Sequence, residues 1–186
     1  MAGPPGGRSA GPERLIVAMT GVDGARYGIC LLEALRDTAV ESHLVMCPCA
    51  HDSIRSETGQ DPDSVRKLAD RAYHPGNQAA RISSGSFLTR GMVIAPCSAR
   101  SMAAIVNGYA TTLVARAADV TLKEGRPLAL LVSESPLSPI QAANLRRAAT
   151  IPGVVVSFPG GQPADDVARG LLDRLAIPHG LPPPDR

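Results

Sequence analysis

The sequence predicts an α/β fold in three layers, a mostly parallel sheet with helices on both faces, and three observations carry that prediction. Apolar runs of strand length recur at 15–19, 42–46, 91–95, 127–132 and 154–156. Between them, apolar residues fall at helical spacing, so strand and helix alternate as βαβαβαβαβ. The runs GMVIA at 91–95 and PLALLV at 127–132 lack polar alternation, as expected of strands covered on both faces. Such alternation gives right-handed crossovers and a parallel sheet, with ligands bound beyond the carboxyl ends of the strands.

Each element has its own local signal. RLIVAMTGVDGARYG at 14–28 reads as strand, tight turn, helix, the helix running over 25–36 with Tyr27, Leu31, Leu32 and Leu35 on one side. Gly21 and Gly24 let backbone approach a ligand closely, and the unpaired N–H groups of a new helix favour an anion such as phosphate. The six-residue dinucleotide fingerprint is incomplete, and a strand–turn–helix unit that binds nothing fits the turn as well. The second strand ends at Cys47-Pro48, and helical segments follow at 50–58 and 62–71, the latter with a proline near its start. Residues 73–80 read as irregular and SSGSF at 83–87 as a polar loop. The strand 91–95 ends at Pro96-Cys97-Ser98, where Ser98 is placed to cap a helix through Met102, Ile105 and Val106. A helix over 111–124 stops at Gly125. The strand 127–132, a helix over 139–150, the strand 154–156 and a helix over 164–175 complete the pattern. The turns at 21–24, 47, 96–100 and 133–134 should therefore converge at one edge of the sheet.

Composition bounds the rest. With 186 residues and 44% hydrophobic content, the chain supports one core of ordinary size. A single domain over 14–178 is expected, flanked by flexible Gly/Pro-rich tails at 1–13 and 179–186. The first tail has no apolar stretch of signal-peptide type, and no run approaches a membrane span. A formal charge of +2 with mixed signs and 3% aromatic content argue against a nucleic-acid surface, so a cytoplasmic protein is expected. Cysteines at 30, 47, 49 and 97 lack the paired spacing of a zinc site and read as reduced, partly buried thiols, so no metal is expected.

Several stretches together carry a family resemblance. RLIVAMTGVDGARYG, HLVM at 43–46, Ser56-Glu57-Thr58, SSGSF, GMVIAPCS at 91–98 and ARAADVTLKEGRPLALLVSESP at 115–136 occur in one order along nearly the whole chain. The chain thereby resembles the UbiX/Pad-type flavin prenyltransferases, within a wider set of flavodoxin-like, Rossmann-like HFCD flavoproteins that also contains peptidyl-cysteine decarboxylases. The decarboxylase signature Pro-Ala-Ser-Ala-Asn-Thr has no counterpart here.

The resemblance implies a metal-independent enzyme that transfers dimethylallyl from dimethylallyl phosphate to reduced FMN, making prenylated FMN for a UbiD-type decarboxylase. It implies a homo-oligomer, often a dodecamer, with active sites at subunit contacts. It also implies roles. Thr20, Gly21, Val22, Asp23, Cys47, Ser98, Ala99, Arg100, Ser101 and Ser133 would hold the flavin. Ser84, Gly85, Ser86, Arg116, Lys123 and a late arginine, Arg169 or Arg174, would hold the prenyl phosphate. Glu57 would line the reacting centre, Lys123 would act on the phosphate, and Glu134 would assist proton movement. Taken singly, these residues have plainer readings. Lys123 could be a solvated helix end meeting the macrodipole, and Arg116 with Asp119 a surface pair. Glu57 could be exposed helix, the serines ordinary loop hydroxyls, and Cys97 a buried thiol.

The chain also departs from the family pattern. Asp23 and Cys47 stand where serines are usual, Ser133 and Gly125 replace arginines, and the segment 157–162 is shorter and lacks the family's Phe-Tyr-His. Ser133 and the missing tyrosine remove two expected phosphate contacts, charge-assisted hydrogen bonds being worth ~1.5–3 kcal/mol each. These departures motivate an alternative, an FMN-binding carrier or partner protein without prenyl transfer. An FMN-dependent decarboxylase is the third reading.

Overall fold

The structure, a computed structural model, describes residues 13–183. The element order is β1 (Arg14–Met19), α1 (Ala25–Arg36), β2 (Glu41–Met46), α2 (Pro48–Thr58), α3 (Pro62–Arg66), β3 (Arg71–Tyr73), a 3₁₀ turn (Arg81–Ser83), β4 (Gly91–Ile94), α4 (Ala99–Val106), α5 (Leu113–Lys123), β5 (Leu128–Leu131), α6 (Pro139–Thr150), β6 (Val154–Ser157) and α7 (Ala164–Arg174). All neighbouring strands pair in parallel.

The sheet has six strands in the order β3-β2-β1-β4-β5-β6, one more than the sequence pattern shows. The extra strand is β3, which pairs His43 with Arg71 through Val45 with Tyr73 at the sheet edge. Arg71 and Ala72 are exposed, so the strand has no apolar run to betray it. With β3 the order is the six-strand Rossmann sequence 3-2-1-4-5-6; without it the remaining five strands read 2-1-3-4-5, the flavodoxin-like order. Either way the chain reverses direction across the sheet between β1 and β4, which opens a crevice at their carboxyl ends.

Alternation along each strand builds two cores. Leu15, Val17 and Met19 of β1, with Leu44, Val93 and Leu131, face α1, α2, α3 and α7. Ile16 and Ala18, with Val45, Ile94 and Leu130, face α4, α5 and α6. Near-continuous burial of β1, β4 and β5 follows, because neither face meets water.

The helix ends carry their own explanations. Ser98 caps α4 by accepting from Ser101 N, Thr112 caps α5 from Ala115 N, and Ser138 with Gln141 forms a capping box on α6. Gly125 follows α5 at φ +67°, a conformation costly for other residues. Helix α3 ends at Arg66, earlier than the sequence suggests, because the chain turns there to enter β3. Residues 1–12 and 184–186, parts of the two expected tails, lie outside the described residues. Within 179–183, His179 meets Asp173 at 3.0 Å and Leu181 packs against the core. Among the described residues no helix is long and apolar enough to cross a membrane.

The loop into β3 is tied back by Asp70, whose carboxylate accepts from Ser42 N at 2.7 Å and from Ser42 Oγ at 2.8 Å. Burial works to raise its pKa, but the two Ser42 bonds outweigh it and hold the carboxyl below its ordinary value. A depressed carboxylate stabilises the fold at pH values above its unfolded pKa and stops doing so as pH falls through its folded pKa. Asp70→Asn is therefore expected to lower the urea midpoint at pH 7, with the deficit shrinking below about pH 4. An equal deficit at every pH would refute the assignment.

Candidate active site

The crevice between β1 and β4 is built from turns that hydrogen-bond to one another. Thr20 N and Gly21 N both donate to the Pro96 carbonyl at 3.0 Å, joining the ends of the two strands. The Thr20 hydroxyl donates to the same carbonyl at 3.3 Å and accepts from Ser98 N at 3.1 Å. Thr20 is buried, so its hydroxyl serves the scaffold and its backbone shapes the floor. A Cβ on Gly21 would lie 2.8 Å from the Pro96 Cβ, which explains a glycine at this junction. Cys47 N donates to Met19 O at 2.9 Å and brings the β2 turn alongside, while Cys49 Sγ donates to Thr20 O at 3.2 Å.

Three helices begin here. α1 and α2 have no side-chain cap, which leaves the N–H groups of Ala25, Arg26 and Cys49 as donors at the crevice, Pro48 having none. The third, α4, is occupied from within, because Glu134 Oε2 accepts from Ala99 N at 3.2 Å. Glu134 Oε1 accepts from Gln141 Nε2 at 2.9 Å, which fixes the carboxylate between β5 and α6. Ser98 and Ser101 place their hydroxyls 3.0 Å apart at the start of α4, with Arg100 exposed beside them.

Glu57 reaches the same place from the far end of α2. Its Oε1 accepts from Gly24 N and from Ser53 Oγ, each at 2.7 Å. Ser133 Oγ donates to Asp23 O at 2.6 Å, closing the loop over the crevice from the β5 side. Val22 and Asp23 are exposed on that loop, and the Asp23 side chain does not cap α1, whose N-cap residue is Gly24. The Cys47 thiol is pushed up to about 11 and the Cys97 thiol to about 12, in both cases chiefly by burial. Both stay protonated at neutral pH and are poor nucleophiles.

The structure thus brings Thr20, Gly21, Val22, Asp23, Cys47, Glu57, Ser98, Ala99, Arg100, Ser101, Ser133 and Glu134 to one edge. It leaves most of the phosphate set elsewhere. Lys123 ends α5, whose chain enters β5 at Leu128; Pro127 O accepts from Met92 N, the second residue of β4. The end of α5 therefore lies at the amino edge of the sheet. Ser84, Gly85 and Ser86 sit there too, because Arg126 holds Gly85 O, and Phe87 lies 4.8 Å from the guanidinium of Arg14 at the start of β1. Arg116 is exposed on α5 and pairs with Asp119 at 3.3 Å. Arg169 pairs with Asp166 at 2.6 Å, and Arg174 bonds Ser157 Oγ beside the carboxyl end of β6.

Three supporting residues escape the sequence reading. Gly28 follows Gly21 and Gly24 in the same stretch, a spacing that could have marked close helix–strand packing. Ser53 lies one helical turn before Glu57, a recognisable pair. Arg126 carries no such signal, since its partners are backbone carbonyls some forty residues earlier.

Comparison with known proteins matches this architecture over most of its length. The Flavoprotein family model matches residues 6–172. The flavin prenyltransferase UbiX of Neisseria meningitidis serogroup B is 41% identical over 179 residues, covering 93% of this chain and 94% of the relative. The crystal structure of AnUbiX (PadA1) in complex with FMN and dimethylallyl pyrophosphate is 40% identical with a TM-score of 0.84, covering 89% of this chain and 93% of the other. A dodecameric FMN-dependent UbiX-like decarboxylase from Escherichia coli O157:H7 is 44% identical with the same TM-score, covering 89% of this chain and 96% of its own. With relatives at this identity over nearly the full length, the chain belongs to the Flavoprotein family, among the UbiX-type flavin prenyltransferases.

Proposed function

We propose that this protein is a cytoplasmic flavin prenyltransferase that transfers a dimethylallyl group from dimethylallyl phosphate to reduced FMN. The observation that carries the reading is the likeness at 40% identity to a structure holding both FMN and a dimethylallyl donor.

The crevice suits FMN on its own chemistry. Two uncapped helix N-termini, the half-buried Ser101 and the exposed Arg100 offer donors to a phosphate and a polar ring edge. Bound reduced FMN would supply the nucleophilic ring atoms that accept the prenyl group. Gly21, Val22 and the start of α1 would hold its phosphate end, with the exposed Asp23 beside them. Cys47, Ser98, Ala99, Arg100, Ser101 and Ser133 would hold the rest. Glu57, fixed through one oxygen by Gly24 and Ser53, would present the other to developing positive charge. Glu134, held by Ala99 and Gln141, would move a proton at the crevice wall.

Lys123 and the Ser84–Ser86 loop lie at the opposite edge, so one chain does not complete the site. A dodecamer, as in the Escherichia coli relative, would bring the Ser84, Gly85, Ser86, Arg116 and Lys123 of neighbouring copies to the crevice. Arg174, beside Ser157 at the end of β6, is better placed than Arg169 as the late phosphate contact of the same chain, because Arg169 is engaged with Asp166. The product would serve a UbiD-type decarboxylase.

One observation favours a second reading, FMN binding without prenyl transfer. Ser133, which stands where the family carries an arginine, spends its hydroxyl on the Asp23 carbonyl and offers no charge to a phosphate. Anaerobic incubation with reduced FMN and either dimethylallyl phosphate or the diphosphate, followed by mass analysis of the released flavin, separates the two. A prenyl mass increment is expected with the monophosphate. Bound but unmodified FMN with both donors would establish the second reading instead.

A further inference from the structure

We propose that Arg126 is a positioning residue that locks the Ser84–Ser86 hydroxyl pair to the Lys123 end of α5, so that both meet the donor phosphate as one rigid unit. The inference rests on the prenyl-transfer reading above and goes beyond it by naming what sets donor affinity.

The loop at 84–87 is a tight turn, with Phe87 N donating to Ser84 O at 3.1 Å. Within it Ser84 Oγ and Ser86 Oγ are 2.9 Å apart on exposed residues, a two-hydroxyl face suited to an oxyanion. What fixes that face is on its other side. Arg126 Nη2 donates to Gly85 O at 2.9 Å, and Nη1 donates to Phe87 O at 2.9 Å and to Thr89 Oγ1 at 3.4 Å. With the carbonyls of residues 85 and 87 turned inward onto one guanidinium, the serine hydroxyls face out.

The same residue ties this face to α5. Its backbone N–H donates to Thr121 O at 2.9 Å, a bond that side-chain substitution leaves in place and that folds the strap after the helix back on its last turn. Glu124 lies 3.9 Å from Arg126 Nη2, and its carboxylate fills the space where a Cβ on Gly85 would fall, so the glycine lets loop and helix end pack against each other. Lys123 is one residue away. The Arg126 side chain is only 14% exposed, so its bonds form where water competes poorly. Phe87 anchors the loop independently, between the Arg14 and Arg81 guanidiniums at 4.8 and 5.0 Å and against the His43 ring. Loss of Arg126 therefore frees the turn without expelling it. A lysine could reach one carbonyl but lacks the fork that spans two.

The test uses the full-length assembled protein and the variants Arg126→Ala and Arg126→Lys. For Arg126→Ala, KM for dimethylallyl phosphate is expected to rise about tenfold or more, with kcat within about threefold and FMN affinity unchanged. Arg126→Lys should fall between that variant and the parent. Amide hydrogen exchange over 84–89 should accelerate in Arg126→Ala while the segment 20–24 exchanges as before, and this readout needs no catalysis. Unchanged KM in an active Arg126→Ala protein would overturn the proposal, and so would weakened FMN binding or assembly in both variants, which would mark a general structural role. A parent protein that yields no prenylated flavin would refute the prenyl-transfer reading and the donor role with it, whereas unaltered exchange over 84–89 would refute the clamp alone.

Discussion

Lys123→Ala is expected to lower prenyl transfer by about 10²–10³-fold while FMN still binds with its normal visible spectrum. The expectation comes from placement. Lys123 is exposed at the end of α5, at the amino edge of the sheet, while Gly21, Cys47 and Ser98 stand at the carboxyl edge. Among the described residues of one chain no hydrogen bond or ion pair joins Lys123 to the crevice, so its removal is expected to leave flavin capture intact. Its charge is needed where a phosphate leaves, because an ammonium neutralises the charge that builds on the departing oxygen. Alone, Lys123 is a helix-end cation worth a few tenths of a kcal/mol to stability, so the fold should tolerate the change. Mixing supplies the sharper readout. If Lys123 serves a neighbour's crevice, inactive Lys123→Ala and inactive Glu57→Gln proteins should regain activity when dissociated and reassembled together, since some sites then draw both intact residues from different copies. No recovery in verified mixed assemblies would show that the two residues do not combine across copies. Full turnover by Lys123→Ala would remove its assigned role altogether.

That division between edges also explains what was legible in the sequence. Local chemistry announced most of the fold: the apolar run of β1, the Ser98 cap and the stop at Gly125 are each decided within a few residues, and each appears in the structure where the pattern puts it. The convergence of the turns at 21–24, 47, 96–100 and 133–134 followed from topology, because parallel strands align their carboxyl ends. β3 was not legible, since a three-residue edge strand with exposed Arg71 is stabilised by pairing with β2 and by Asp70 on Ser42, contacts that composition does not record. The internal use of side chains was equally hidden. Whether Thr20, Glu134 or Ser133 turns toward a ligand or toward the scaffold depends on partners distant in sequence, namely Pro96, Ala99 and Asp23. The separation of Lys123 and the serine loop from the crevice needs the sheet direction, which only the assembled strands supply.

The crevice depends most on a residue that touches no ligand. Gly28 lies in the first turns of α1, and a Cβ there would press into the Ala95 carbonyl oxygen and come within 2.9 Å of Met19 Cε. Met19 could swing aside, but Ala95 cannot. Its N–H donates to Ala18 O at 2.9 Å, so a shift of that peptide breaks the β1–β4 junction on which the crevice is built. Helix α1 must move instead, carrying its uncapped N-terminus away from the strand ends. Gly28→Ala gains about 1 kcal/mol of helix propensity, yet overpacking against a fixed backbone carbonyl costs about 3–4 kcal/mol, above the usual range for side-chain crowding, giving a net loss of about 2–3 kcal/mol. At roughly 2–4 °C per kcal/mol for a chain of this size, a fall in Tm of about 5–10 °C is expected, together with weaker FMN binding. Gly170→Ala in α7 is the matched control, because nothing lies within 4 Å of a Cβ there; it should hold or raise Tm through propensity alone. A Gly28→Ala protein as stable as the parent, binding FMN normally, would mean that α1 can slide on the sheet without disturbing the crevice. The helix N-terminus would then not be the part of the site that demands close packing.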